Sequence, residues 1–232
     1  MPAYFVTGTD TDVGKTLIAS ALLTAASAAG VSTLGLKPVA AGCHDTPDGL
    51  RNDDALALMA ASSVTPLHYQ EVNPVALPAA CSPHIAAREA GRRLTIAQIA
   101  GYCRGSMTRR AGLTLVEGAG GWRVPLSDRE LLSSLPRELQ LPVILVVGVR
   151  LGCINVALLT AEAVLRDGLV LAGWVANVLD PDMAFLDDNL ATLARLLPAP
   201  CLGRVPWLPG QTAADVAAHL DVQPLLTQPS PR

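Results

Sequence analysis

The stretch YFVTGTDTDVGKTLIASALL, residues 4–23, constrains the fold more than any other part of the chain. An apolar run stops at Gly8, polar residues follow, and Gly14-Lys15-Thr16 lead into an alanine-rich segment. A strand, a glycine-bounded loop and a helix in that order aim backbone N–H groups and a positive helix end at one point, which is an anion site. Gly14 lets the main chain approach a phosphate, Lys15 reaches its β/γ oxygens, and Thr16 offers a hydroxyl to Mg²⁺. The usual phosphate loop has about four residues between its glycines. Here five separate Gly8 from Gly14, so Thr9 stands where the first glycine normally lies and the loop is a variant.

Strand-like and helical stretches alternate along the rest of the chain. The helix after the loop runs to Gly30, a natural stop. STLGLKPV precedes NDDALALMAA, whose opening acids suit a helix N-terminus. Residues 64–83 are rich in proline and are expected to be mostly irregular. A helix near 95–110 leads to GLTLVEGAGG; LPVILVVG, INVALLTAEAVLRDG, LVLAGWVANVL, FLDDNLATLARLL and APCLGRVP then alternate again. This order predicts an α/β fold: a single domain over residues 1–225, P-loop NTPase-like, with a mostly parallel sheet flanked by helices on both faces. Residues 226–232 are expected to form a disordered tail. Such sheets bind ligands beyond the carboxyl ends of their strands, which directs attention to Lys37, Glu117 and Asn177, each closing an apolar strand.

Composition narrows the function. A net charge of −3 over 232 residues provides no electrostatic footprint for nucleic acid. No apolar run approaches the roughly 18 residues of a membrane span, so no membrane association is expected. Only 3% of residues are aromatic although 50% are hydrophobic, which predicts an aliphatic core. Cys43, Cys81, Cys103, Cys153 and Cys201 are odd in number and never form a C-x-x-C pair, which predicts a reducing, cytoplasmic setting. Glu117 opens EGAGG, where a carboxylate can hold Mg²⁺ and the glycines let N–H groups approach an anion. Asp54 alone reads equally as a first-turn helix acid. Ser82 before Pro83 reads as a helix cap.

VTGTDTDVGKT resembles the variant loop of dethiobiotin synthetases. GLKPVAAG, RNDDALAL, VNP, SPHIAA, LVEGAGGW, PLSD, LPVILVVG, LGCIN, LAGWVAN and PWLP are similar to that family's segments, in order, from about residue 4 to 210. Asp10 stands where partition and metal-cluster ATPases carry a signature lysine, which argues against that group. The resemblance implies ATP-dependent closure of a cyclic urea on 7,8-diaminononanoate with CO₂. It makes Lys37 and Lys15 catalytic, and Thr16, Asp54 and Glu117 the Mg²⁺ ligands. It gives nucleotide contacts to Asp12, Val13, Gly14, Lys15, Thr16, Leu17, Asp54, Glu117, Gly118, Ala119 and Gly120, with Asn177, Val205, Pro206 and Trp207 around the adenine. Substrate contacts fall to Thr11, Lys37, Ala41 and Ser82, and to Gly152, Cys153, Ile154 and Asn155 from across a homodimer boundary.

Four positions depart from the family pattern. Asp12 replaces a glutamate, Ala41 a serine that contacts substrate, Val178 an aspartate, and Gln211 lies near a nucleotide-contacting glutamate. The last two weaken the expectation that ATP is the preferred nucleotide. Two other readings stay open: a nucleotide-driven switch or partition ATPase acting on partners, and an amidoligase acting on a corrinoid. The second would need a glutamine-hydrolysing domain, for which the chain has no evident nucleophilic Cys–His pair.

Overall fold

The computed structural model describes residues 1–207 and 209–227. In chain order the elements are β1 (Ala3–Gly8), α1 (Lys15–Ala28), β2 (Thr33–Leu36), β3 (Val39–Ala41), β4 (His44–Thr46), β5 (Gly49–Arg51) and α2 (Asp53–Ala61). Then follow α3 (Tyr69–Val72), β6 (Val75–Leu77), α4 (Pro83–Glu89), α5 (Ile96–Met107), β7 (Leu113–Glu117) and α6 (Ser134–Leu139). The last third holds β8 (Val143–Val149), α7 (Cys153–Arg166), β9 (Leu171–Val178), α8 (Leu186–Leu196), β10 (Cys201–Val205), α9 (Ala213–Ala217) and α10 (Gln223–Thr227).

Six strands form one sheet in the order β10-β9-β8-β1-β7-β2, and every pairing in it is parallel. All seven residues of β8 are buried, as the uninterrupted apolar run requires of a strand covered on both faces. Alternate residues serve opposite cores. Phe5, Leu145 and Val147 pack with α4, α5, α6, α7 and α8, while Tyr4, Val6, Ile144 and Val146 pack with α1, α2, α3 and α9. The fold is therefore the expected single α/β layer structure. β1 lies between β8 and β7, so the chain leaves it towards one edge and later crosses to the other. The loop after β1 sits at that reversal, where open α/β sheets bind ligands.

Residues 64–83 contain more order than expected: α3 and β6, the latter pairing in parallel with β3. β6 has three residues and is bounded by Pro74 and Pro78, too short for its pattern to register in sequence. The antiparallel β4–β5 hairpin is likewise short. Leu226 and Thr227 of the expected tail belong to α10, and residues 228–232 lie outside the described residues. Among the described residues no helix is long and apolar enough to cross a membrane.

Candidate active site

The loop after β1 resolves the question of its extra residue. The Thr9 N–H donates to the Val146 carbonyl at 3.0 Å, and the Thr9 hydroxyl accepts from the Gly148 N–H at 3.3 Å. Thr9 thus continues the sheet ladder, and the free loop begins only at Asp10. Gly8 and Gly14 are glycines for different reasons. A Cβ on Gly8 would lie 2.5 Å from Val13 Cγ2; Gly14 has φ +84° and a Cβ there would meet Asn177 Nδ2 at 2.4 Å. Helix α1 has no side-chain cap and no acid in its first turn, so its leading N–H groups and dipole face an incoming anion unopposed. The Lys15 ammonium folds back to donate to the Asp10 carbonyl at 2.9 Å.

Opposite this loop, Lys37 stands one residue beyond β2. Its Nζ donates to Asp54 Oδ2 at 2.8 Å, to Glu117 Oε1 at 2.5 Å and to the Gly118 carbonyl at 3.3 Å. Asp54 comes from the first turn of α2, which Asn52 caps by accepting from the Ala55 N–H at 3.3 Å. Glu117 ends β7, fully buried, and accepts the Thr16 hydroxyl at 2.8 Å. Burial pulls the Lys37 ammonium down, but Glu117 and Asp54 outweigh it and hold its pKa above the usual lysine value. Burial likewise works against the Asp54 carboxylate, and Lys37 overcomes it, leaving Asp54 below its usual value. Lys15 moves the other way: burial lowers it, and the neighbouring Lys37 lowers it further. These are the chain's only two lysines; every other cationic side chain except histidine is arginine. A chain with only two lysines that both reach one site carries that signal in its composition.

A cavity of ≈ 960 Å³ joins the two walls, within the size range of small-ligand sites. Of the residues expected to bind ligand or metal, Thr11, Asp12, Gly14, Lys15, Thr16, Leu17, Lys37, Ala41, Asp54, Ser82, Glu117, Ala119 and Gly120 line it. Asn52, Cys81 and Val124 line it too and were not singled out by their residue types. Val13 and Gly118 sit just behind the lining: Asn177 Nδ2 donates to the Val13 carbonyl at 2.9 Å, and a Cβ on Gly118 would strike the Phe5 ring. Ser82 needs a correction. It holds the N-cap position of α4, but its hydroxyl pairs with His84 Nδ1 at 2.9 Å instead of capping the helix.

The remaining candidates lie elsewhere. Asn177 is buried, with its Oδ1 lacking a partner, and Val205 ends β10 beside it in register. Trp207 is 47% exposed. Gly152, Cys153, Ile154 and Asn155 start α7 and do not line the cavity of their own chain. Cys153 is buried, and its N–H donates to the Arg150 carbonyl at 3.0 Å. Among the departures, Ala41 removes a hydroxyl from the cavity wall, Val178 is core, and Gln211 Oε1 is a buried acceptor without a partner.

The donor set suits Mg²⁺. The Glu117 Oε2 atom is buried and unpartnered, and Thr16 and Asp54 present further oxygens beside it. No cluster of three or more His, Cys, Asp or Glu that could hold a metal occurs among the described residues. Two carboxylates and a hydroxyl fit a hard ion that retains water and phosphate oxygens, as Mg²⁺ does, better than a cage of protein ligands.

A family model described as "AAA domain" matches residues 2–215. The ATP-dependent dethiobiotin synthetase BioD of Pseudomonas aeruginosa is 63% identical over 225 residues, covering 97% of this chain and 98% of the relative. The chain belongs to the dethiobiotin synthetase family. The synthetases of Cellvibrio japonicus and Xanthomonas euvesicatoria, at 62% and 50% identity, cover 97% and 95% of it. Solved structures extend the likeness to fold alone. A chain of the MinC:MinD cell division complex from Aquifex aeolicus aligns with TM-score 0.57 at 13% identity, covering 97% of this chain and 93% of that one. A ParA family ATPase from Chlorobium tepidum aligns with TM-score 0.55 at 10% identity, covering 95% and 91%.

Proposed function

We propose that the cavity binds a nucleoside triphosphate, ATP by the names of the relatives, beside 7,8-diaminononanoate, and forms dethiobiotin from the diamine and CO₂. The observation that carries this reading is that the only two lysines converge on one cavity. Asp54 and Glu117 offset the charge of Lys37 beside Lys15, and a phosphate loop alone needs only the first lysine. One substrate amine takes up CO₂ to give a carbamate. The carbamate oxygen attacks the γ-phosphorus, releasing ADP and leaving a carbamic–phosphoric anhydride. The second amine then attacks the activated carbonyl and expels phosphate. Positioning and charge stabilisation dominate such transfers.

In this reading Lys15 and the N–H groups from Asp12 to Leu17 hold the triphosphate, and Lys37 neutralises the carbamate beside it. Thr16, Asp54 and Glu117 would hold Mg²⁺, which supplies charge neutralisation to the phosphates. Thr11, Ala41 and Ser82 form the diamine wall, Gly118, Ala119 and Gly120 approach phosphate, and Asn177 with Val205, Pro206 and Trp207 form the base pocket. The α7 residues Gly152, Cys153, Ile154 and Asn155 would meet the substrate carboxylate only from a second copy. The exposed Leu151 just before that helix, and Val156 and Leu159 on it, support a homodimer. The test is ADP release by the purified protein with the diamine, with and without bicarbonate. Release that ignores both would sink the reading in favour of a switch or partition ATPase.

A further inference from the structure

Lys37 occupies a position that the sheet cannot hold. Pairing of β2 with β7 ends at Leu36, and Pro38 next in the chain has no N–H to donate. The main chain at Lys37 is tied instead by the segment 69–73. Its N–H donates to the Val72 carbonyl at 2.9 Å, and its carbonyl accepts from Asn73 Nδ2 at 2.6 Å. Asn73 Oδ1 accepts the Tyr69 hydroxyl at 2.9 Å, and that hydroxyl accepts the Asn52 N–H at 2.9 Å. Asn52 caps the helix whose first turn carries Asp54, and Asp54 Oδ2 receives the Lys37 ammonium.

The bonds close on themselves: the Lys37 side chain to Asp54, α2 to Asn52, Tyr69 to Asn73, and back to the Lys37 main chain. Tyr69, Asn73 and Asn52 are all buried, and the Arg51 guanidinium lies 4.3 Å above the Tyr69 ring centroid, fixing its plane. Neither Tyr69 nor Asn73 lines the cavity. We infer that Tyr69 and Asn73 are positioning residues, whose buried hydrogen bonds fix the Lys37 ammonium relative to the Asp54 carboxylate. The inference rests on the proposed role of Lys37 for its effect on turnover, but not for its effect on geometry.

Two measurements test it and separate the two readings. Tyr69→Phe deletes the bridging hydroxyl with little change of shape. Diamine-dependent kcat should fall on the order of 10–10²-fold, the scale of a small misplacement of a reacting group, with nucleotide Kd nearly unchanged. Asn73→Ala should do the same, and the double variant should lose no more than the worse single variant, because the two act through one chain of bonds. Tyr4→Phe is the matched control: it deletes a hydroxyl bonded to the Leu225 carbonyl at 2.7 Å, outside this circuit. It should leave kcat unchanged. Lysine acetylation read by mass spectrometry reports on Lys15 and Lys37 alone among side chains. Tyr69→Phe should raise the labelling rate of Lys37 several-fold relative to Lys15. An unchanged kcat, a loss equalled by Tyr4→Phe, or losses that multiply in the double variant would overturn the inference. If the wild type fails to turn over the diamine, the proposed function falls. The labelling arm then decides the circuit, an unchanged Lys37 rate refuting it. Should Asn73→Ala fail to fold, Tyr69→Phe and labelling decide it in the same way.

Discussion

The two walls of the cavity are built by different means. The wall made by residues 8–17 is main chain: a glycine in the left-handed region, a strand extended by Thr9 and a helix start without a side-chain cap. The wall made by Lys37, Asp54 and Asn52 is side chain, and its members are held through Tyr69 and Asn73. A main-chain wall needs only local sequence, because each N–H is fixed by its own backbone. A side-chain wall needs distant segments to arrive together. The difference teaches where sequence reading is strong, and it predicts that damage to the two walls will look different.

The largest effect should come from Lys15→Ala. Lys15 bonds only to its own loop, so the main-chain wall should survive without it. Turnover should fall on the order of 10³-fold, while the thermal midpoint stays near wild type. A variant with nearly normal kcat would show that this wall is not the phosphate site.

Lys37→Gln strikes the other wall. An interposed cation is worth much when a carbamate meets a triphosphate, since two unit charges at about 4 Å interact by roughly 4 kcal/mol at an effective dielectric of 20. Ring closure should fall on the order of 10²-fold, with a far smaller change in nucleotide Kd by calorimetry. Equal losses in both would make Lys37 a nucleotide ligand and erase the distinction between the walls. Neither falling would make it a bystander.

Asp54→Asn sharpens the comparison at the seam. It keeps an oxygen facing Lys37 but removes one of the two carboxylates in the oxygen cluster. The Mg²⁺ concentration for half-maximal activity should rise roughly 10–100-fold, as changes around metal sites commonly cause. An unchanged Mg²⁺ titration would remove Asp54 from that site and leave it as a partner for Lys37 only.

The same contrast explains what was legible in the sequence. Gly14, Lys15 and Thr16 could be placed because strand, loop and helix follow one another directly. Lys37 and Glu117 could be placed as strand ends, and the sheet was readable from β8, buried on both faces. Ser-Pro fits a helix cap, and only the fold reveals that the Ser82 hydroxyl pairs with the His84 ring instead. The partners of Tyr69 and Asn73 lie in other segments, at Asn52 and Lys37, so no local pattern announces them.

The smallest expected effect concerns the anchor of the side-chain wall. Glu71 sits in α3, between Tyr69 and Asn73. Its carboxylate accepts from the His68 N–H at 2.8 Å and from Arg109 at 2.7 and 3.0 Å. The His68 N–H first, and Arg109 next, hold its pKa below the usual 4.5. A depressed carboxylate contributes stability that is fully present above its unfolded pKa and is lost as pH falls through the folded one. Glu71→Gln retains an acceptor for His68 but gives up the charge, so its loss should match that of a partly exposed ion pair, about 0.2–1 kcal/mol. Urea midpoints at pH 7 should therefore separate wild type and variant slightly, and the gap should close as pH drops well below 4.5. A gap of the same size at both ends would mean that shape rather than charge joins α3 to Arg109. Loss of kcat in this variant beyond its small loss of stability would mean that the side-chain wall extends as far as Arg109, just past α5.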